Sequence, residues 1–128
     1  MSKISTLIFV YNASDGLFSA IADYLHKNIS PQTYECNLCA ITYDNFGMKK
    51  TWKDYLKNLP VQKIFLHKQE FQKRFPNFAD QSLPLILCKM DDLTSVLLTS
   101  VDLNEQKTQE DLMTKIDQKL VISKQLRF

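Results

Sequence analysis

The fold is decided by the stretch Ser5-Thr-Leu-Ile-Phe-Val-Tyr11 and the turn that follows it, Asn12-Ala-Ser-Asp-Gly16. A short, continuous run of apolar residues is typical of a strand that is covered on both faces of a sheet. The residues after it are turn formers, and Ser14 or Asp15 can cap a helix. The segment therefore predicts a strand, a turn and a helix, which is the opening of an α/β fold.

Apolar residues then recur at helical spacing from Leu17 to Ile29, and Pro31 ends this predicted helix. The next segment, Thr33 to Tyr43, contains a Cys-x-x-Cys pair. It has two interpretations, because periodicity does not separate strand from helix at this length. One is a second parallel strand, Thr33 to Leu38, that runs into the pair, and the other is a short helix that starts at it.

The remaining elements follow from periodicity and turn signals. We predict a helix between Gly47 and Pro60, a strand at Val61–Leu66, a helical turn around Phe71 that breaks at Pro76, a hairpin of Leu83–Lys89 and Thr94–Val101, and a terminal helix that begins with the capping-box-like Thr108-Gln-Glu-Asp111. No linker or repeat divides the chain, so we expect one domain over residues 1–128.

This order of elements predicts a thioredoxin-like three-layer sandwich, with a mixed sheet and helices on both faces. Proteins of that fold carry a cis-proline at the entry to the third core strand. Pro84, in Leu83-Pro-Leu-Ile-Leu87, occupies the corresponding place in the sequence. Either Pro84 is that cis-proline or it begins an edge strand, a position that proline tolerates.

The composition excludes several classes of function. The 128 residues carry a net charge of only +2, so the chain lacks the strong positive charge that is typical of nucleic-acid-binding domains. No stretch approaches the roughly 18 apolar residues of a membrane span, and the first apolar run is too short for a signal peptide. We expect a cytoplasmic protein with neither a nucleic-acid partner nor a membrane partner. Three cysteines in that compartment argue against a disulfide scaffold.

Cys36-Asn-Leu-Cys39 is the motif with the most chemical potential, and it has three interpretations. As a catalytic redox pair, one thiolate attacks a disulfide and the other resolves the mixed intermediate. As a zinc site, the pair supplies two of four ligands. As a structural pair, both side chains are small hydrophobes. In thioredoxins the pair directly follows the first strand, whereas here it comes about twenty residues later.

Completing a metal site needs further ligands. His26 is the first candidate, and Asp23 lies three residues before it, so both can share one helix face. His67 and Cys88 are the others. We expect both His26 and His67 to be partly exposed near the ends of elements, and Cys88 to lie in the core. One pair without a second pair at fixed spacing is a weak zinc signal, and no other cofactor is indicated.

The predicted fold also brings several of the candidate site residues to one place. If Thr33 to Leu38 is the second parallel strand, its carboxyl end lies beside that of the first strand, where open α/β sheets bind ligands. Asn12 to Gly16, the cysteine pair and Pro84 would then surround one shallow crevice.

The helix after Gly47 carries several lysines. Their aromatic neighbours fall on the apolar face, so we expect a solvated lysine face rather than a nucleic-acid site.

Several segments resemble a small family of uncharacterised bacterial proteins. They are Tyr11-Asn-Ala13, Asp23-Tyr-Leu-His-Lys27, Ser30-Pro-Gln-Thr-Tyr-Glu-Cys-Asn-Leu-Cys39, Ile41-Thr-Tyr43 and Trp52. The resemblance covers about the first 70 residues. It implies that Asn12, His26, Cys36 and Cys39 are site candidates, and it implies no established activity.

Some proteins of that family are labelled GTPases. This chain has only two glycines, Gly16 and Gly47, and therefore lacks the Gly-x-x-x-x-Gly-Lys-Ser/Thr loop that holds phosphates. It also lacks an Asn-Lys-x-Asp segment, so we reject GTP hydrolysis. Two hypotheses remain: thiol redox chemistry or metal binding through Cys36 and Cys39, or a non-catalytic module that binds a protein or a small molecule and keeps the cysteines as structural residues.

Overall fold

The structure is a computed structural model and describes residues 4–12, 37–44 and 47–125. The strands are β1 (Ile4–Val10), β2 (Tyr43–Asp44), β3 (Gly47–Met48), β4 (Gln62–Leu66), β5 (Leu85–Met90) and β6 (Leu93–Leu98). The helices are α1 (Asn37–Thr42), α2 (Lys50–Asn58), α3 (Lys68–Arg74), α4 (Ser100–Asn104) and α5 (Gln109–Gln125), with a 3₁₀ turn at Pro76–Phe78.

Among the described residues, the main sheet has four strands in the order β4-β1-β5-β6. β1 runs parallel to β4, whereas β5 is antiparallel to both β1 and β6. β2 and β3 form a separate antiparallel pair. The chain is therefore α/β with a mixed sheet, as predicted, and β1 is an inner strand.

The side chains of β1 alternate between two apolar clusters because successive residues of a strand point to opposite faces of the sheet. Leu7, Phe9 and Tyr11 belong to the first cluster, which also contains residues of α1, α2, α4 and α5. Ile8 and Val10 belong to the second cluster, together with residues of β4, β5 and α3. A strand in contact with both clusters needs apolar residues at every position, and this explains the uninterrupted run in the sequence.

α2 is held on the first cluster by its aromatic residues. Trp52 is fully buried and meets Phe9 edge to face, with the ring centroids 5.9 Å apart. The Tyr55 hydroxyl donates to Asp117 Oδ1 at 2.7 Å and so ties α2 to α5. Burial first, and then the hydrogen bond and charge of Asp117, raise the pKa of Tyr55 well above its ordinary value. The aromatic side chains thus face the core, as the helical spacing predicted.

Five of the predicted elements are confirmed near their expected limits. The first strand is β1, the helix between Gly47 and Pro60 is α2, the strand at Val61–Leu66 is β4, the helical turn around Phe71 is α3, which ends before Pro76, and the helix from Thr108 is α5. The predicted hairpin is formed by β5 and β6, and its turn includes Asp91 with φ 54°. The prediction that its second strand continues to Val101 is wrong. Thr99 caps α4, so the strand ends at Leu98 and Val101 lies in a helix.

The interpretation of Thr33 to Leu38 as a strand is wrong at Asn37 and Leu38, which belong to α1. Leu38 and Ile41 are both buried in the first cluster. Residues three apart share a face of a helix but lie on opposite faces of a strand. The alternative, a short helix at the motif, is confirmed for Asn37–Thr42.

The two interpretations of Pro84 are also resolved. The Leu83–Pro84 peptide bond is cis, and Pro84 is buried. β5 lies between β1 and β6, so the interpretation of Pro84 as the start of an edge strand is wrong. The helix predicted from Leu17 to Ile29 lies outside the described residues. No helix within the described ranges has the length and apolar character required to cross a membrane.

The hairpin provides a matched pair of leucines for testing the core. Leu87 is fully buried in the second cluster, whereas Leu93 is 67% exposed. We expect Leu87→Ala to lower the free energy of unfolding by about 2–5 kcal/mol, because it removes a buried side chain and leaves a cavity. We expect Leu93→Ala to change it by less than about 0.5 kcal/mol. Urea denaturation measures both values, and similar losses for the two variants would contradict the described packing.

Candidate functional site

Four strand ends meet at one edge of the sheet, called here the carboxyl edge of β1. In the register, Val10 is beside Leu66 of β4 and beside Leu85 of β5, and Ile86 is beside Leu98 of β6. The residues that follow β1, β4 and β6, and the residue that precedes β5, therefore all lie at this edge. Open α/β sheets bind ligands at the carboxyl ends of their parallel strands.

Tyr11 and Asn12 stand at this edge directly after β1. The Tyr11 backbone N–H donates to Leu66 O at 3.0 Å, which continues the pairing of β1 with β4 by one residue. The Tyr11 ring is fully buried and stacks on Phe65 with centroids 6.3 Å apart. Asn12 is half-buried. This buried anchor fixes where the chain leaves the sheet, and so fixes the position of Asn12 at the edge.

The His67 imidazole and the Glu70 carboxylate lie side by side at the start of α3. His67 follows β4 and is the N-cap residue of α3, and its Nδ1 lies 3.0 Å from Glu70 Oε1. The carboxylate in the first helical turn also suits the positive end of the helix dipole. The predicted place of His67, partly exposed near the end of an element, is confirmed, since its side chain is 26% exposed. The structure thus brings an imidazole and a carboxylate to the carboxyl edge.

A capping box begins α4 at the same edge. The Thr99 backbone N–H and hydroxyl both donate to Asp102 Oδ2 at 3.0 Å, and the Asp102 N–H donates to Thr99 Oγ1 at 3.2 Å. These reciprocal bonds satisfy donors that a helix N-terminus otherwise leaves unpaired. The backbone hydrogen bond from Thr99 is the main reason that the pKa of Asp102 is lowered, with further lowering from the Thr99 side chain.

α1 packs against α4 and carries one cysteine of the motif. α1 is anchored by the buried Leu38 and Ile41 of the first cluster. The Thr42 hydroxyl, also buried, donates to Leu38 O at 2.5 Å, and Thr42 O accepts the Lys49 N–H at 2.8 Å. Because α4 begins where β6 ends, its contact with α1 joins the helix that contains Cys39 to an element that starts at the carboxyl edge.

The predicted site residues are therefore only partly brought together. Asn12 and Pro84 both lie at the carboxyl edge, where Pro84 precedes Leu85. Cys39 lies in α1, and only its backbone is described. Cys36, Asp23 and His26 lie outside the described residues. The crevice of Asn12 to Gly16, the cysteine pair and Pro84 stays a prediction. Its premise, that a strand at Thr33 to Leu38 lies beside β1, is wrong because β1 lies between β4 and β5.

Cys88 lies away from this edge, inside the sheet. It is opposite Leu7 in the register, it is 3% exposed, and its thiol is free. Its Sγ is 3.4 Å from Ser95 Oγ. The predicted core position of Cys88 is confirmed. Within residues 4–12, 37–44 and 47–125, no three His, Cys, Asp or Glu side chains are grouped in a way that could hold a metal ion.

Two pairs of interacting side chains at the carboxyl edge were not predicted from the sequence. The pairing of His67 with Glu70 could have been suspected from their spacing of three residues at a helix start. The capping box of Thr99 and Asp102 has a recognisable Thr-x-x-Asp pattern, but that pattern was included in a predicted strand.

Comparisons of the chain with protein-family models, with curated proteins and with solved structures found no match.

The capping box makes a pH-dependent contribution to the free energy of unfolding, and this contribution can be measured. A carboxyl with a lowered pKa stabilises the fold above its unfolded value of about 3.9, and this contribution is lost as the pH falls through the folded value. We expect Asp102→Asn to destabilise the protein at pH 7, and the difference from wild type to shrink in acid. Thr99→Ala should cost about 1 kcal/mol.

Asp92→Asn is the control for this prediction, because Asp92 is exposed in the turn between β5 and β6 at the opposite end of the sheet. Urea denaturation from pH 7 to pH 3 gives all three stabilities. An Asp102→Asn penalty that stays constant with pH, or that equals the penalty of Asp92→Asn, would refute the role of the carboxylate.

Proposed function

We propose that the chain is a thioredoxin-like protein that uses Cys36 and Cys39 for thiol–disulfide exchange at the carboxyl edge of β1. The strand order β4-β1-β5-β6, with one parallel pair and a following antiparallel hairpin, supports this fold. The buried Pro84 before β5 stands where thioredoxin-like proteins carry their proline.

Helices on both faces of the sheet are part of the same proposal. The first cluster contains residues of α2 and α5, and the second contains Phe71 of α3. Since β1 contributes alternate side chains to the two clusters, its two faces are covered by different elements. This distribution supports a three-layer arrangement.

The contact between α1 and α4 is the observation on which the proposed activity rests. It brings the helix that contains Cys39 into contact with α4, which begins directly after β6, and this supports a position of the pair near the edge that carries Asn12 and His67. Groups at such an edge come from distant parts of the chain and leave room for a ligand between them. In this proposal the pair meets its substrate at that edge, whereas Cys88 is buried in the sheet.

The proposed reaction needs only the two sulfurs and a substrate disulfide. The thiolate of one cysteine attacks a substrate sulfur, the substrate S–S bond breaks, and a substrate thiolate leaves with the electron pair. The second thiolate then attacks the protein sulfur of the mixed disulfide and releases the other substrate thiolate. The two released thiolates take protons from water. Two electrons have then passed to the substrate, and a dithiol reductant must reduce the Cys36–Cys39 disulfide.

The chain departs from thioredoxins in one respect that limits the analogy. Their pair directly follows the first strand, where this chain has Tyr11-Asn-Ala-Ser-Asp-Gly16. The polar Asn12 therefore takes the place of a cysteine at the end of β1. For this reason we carry over the fold and the class of chemistry, and no thioredoxin residue role beyond the pair itself.

The pH dependence of thiol alkylation tests the proposal. We expect one thiol of the pair to react as a thiolate well below pH 8.5, the approximate pKa of a free cysteine. Oxidised glutathione should convert the pair to an internal disulfide, and either Cys36→Ser or Cys39→Ser should abolish it. Cys88→Ala is the matched control, since Cys88 is buried, and it should leave both results unchanged.

Two outcomes would replace this function with one of its alternatives. Zinc that copurifies with the wild type and is lost in Cys36→Ser and Cys39→Ser would assign the pair to metal binding, with His26 as a further candidate ligand. Ordinary thiol reactivity, no internal disulfide and no metal would assign the chain to the non-catalytic binding modules, with structural cysteines.

A further inference from the structure

The outward face of α2 carries a row of lysines that the proposed thiol chemistry does not use. Lys50, Lys53 and Lys57 are exposed and recur at i, i+3 and i+7, so they lie along one side of the helix. We call these three residues the lysine stripe. At a rise of 1.5 Å per residue, the stripe is about 10 Å long.

The positive charge of the whole chain is concentrated in this helix and its cap. Residues 49–58 contain four lysines and one aspartate, a net charge of +3, whereas the whole chain has a net charge of +2. All other residues together therefore carry a net charge of −1. A small overall charge conceals a locally basic surface.

Several lysines of α2 are placed against the stability of the helix, whereas Asp54 and Lys57, which is in the last turn, favour it. Lys49 is the N-cap residue, Lys50 follows it, and the first turn has no acidic residue, although the N-terminus of a helix disfavours cations. Lys49 and Lys53, and also Lys53 and Lys57, are like charges four residues apart, which destabilises a helix. By contrast, α4 begins with Asp102 and α5 with Glu110 and Asp111. Helix stability therefore does not explain why so many lysines are concentrated in α2.

Asp54 is the one acidic residue of α2 and lies beside the stripe, four residues after Lys50 and three residues before Lys57. The three lysines form no salt bridge within the part of the chain that the structure describes. The opposite face of α2 is fixed by the buried Trp52 and Leu56 and by the bond from Tyr55 to Asp117. The three lysines and Asp54 together carry an excess of two positive charges on a helix that is firmly packed on the core.

We propose that the lysine stripe is a docking surface for an acidic segment of a partner protein, with at least three carboxylates spaced over about 10 Å. Carboxylates of the partner would pair with the ammonium groups and relieve their mutual repulsion. A nucleic acid fits less well, because Trp52 and Tyr55 face the core and offer no surface for stacking bases. A membrane fits less well because the stripe has no exposed apolar residue among its lysines. This inference does not depend on the thiol chemistry.

Fluorescence anisotropy with a labelled oligoglutamate peptide tests the docking surface. We expect the wild type to bind the peptide at low salt, and the affinity to fall steeply between about 20 and 200 mM salt. The triple variant Lys50→Gln, Lys53→Gln, Lys57→Gln should bind about tenfold more weakly, since each exposed ion pair contributes modestly. An oligoglutamine peptide of the same length should not bind.

The matched control is Lys68→Gln, Lys73→Gln, Lys107→Gln, which removes three exposed lysines elsewhere and changes the net charge equally. It should weaken binding less than about twofold. Equal losses in the two triple variants would reduce the effect to overall charge and overturn the proposal. So would the absence of binding by the wild type, or tighter binding of an oligothymidylate of the same length, which would assign the stripe to nucleic acid. Thermal melts confirm that both variants fold.

Discussion

The structure depends on the burial of β1 from both sides at once. Its backbone is hydrogen-bonded to β4 and to β5, and the side chains from Leu7 to Val10 are at most 1% exposed. Fully burying a large apolar side chain contributes about 1.5–3 kcal/mol relative to leaving it exposed. Both faces and both edges of the strand are occupied. A slip by one residue would move every side chain of β1 to the opposite cluster, so the register of β1 with β4 and β5 is fixed.

The carboxyl edge follows from that register. Once Val10 is set beside Leu66 and Leu85, Asn12, His67 and Pro84 must stand close to the end of β1, although they are distant in the sequence. The turn of the hairpin at Asp91 and Asp92 is then at the opposite end, about 20 Å away for a strand of this length. The two ends differ in chemistry. The carboxyl edge carries a buried phenol, an imidazole with its carboxylate and the packed helices α1 and α4.

Periodicity predicted the elements that bury a regular face. The unbroken apolar run of β1 and the helical spacing of Trp52 and Leu56 in α2 both led to the observed structure. α4 was missed because only Leu103 of its five residues is buried, so it has no apolar face to detect, and its exposed Val101 resembled the end of a strand. α1 is also short, with six residues. A strand and a helix at this segment differ mainly in whether Leu38 and Ile41 lie on the same face, and so few residues do not reveal that from the sequence. The site was harder to predict, since its members meet through strand register rather than through sequence spacing.

The most direct test of the account is the position of Cys39 relative to the two ends of the sheet. A nitroxide spin label can be attached to Cys39 in a Cys36→Ser, Cys88→Ser background, and paramagnetic broadening of the backbone amide signals can be measured by NMR. The account predicts strong broadening at Asn12 and Thr99 and much weaker broadening at Asp91 and Asp92. Stronger broadening at Asp91 and Asp92 than at Asn12 would place the cysteine at the opposite end and contradict the account.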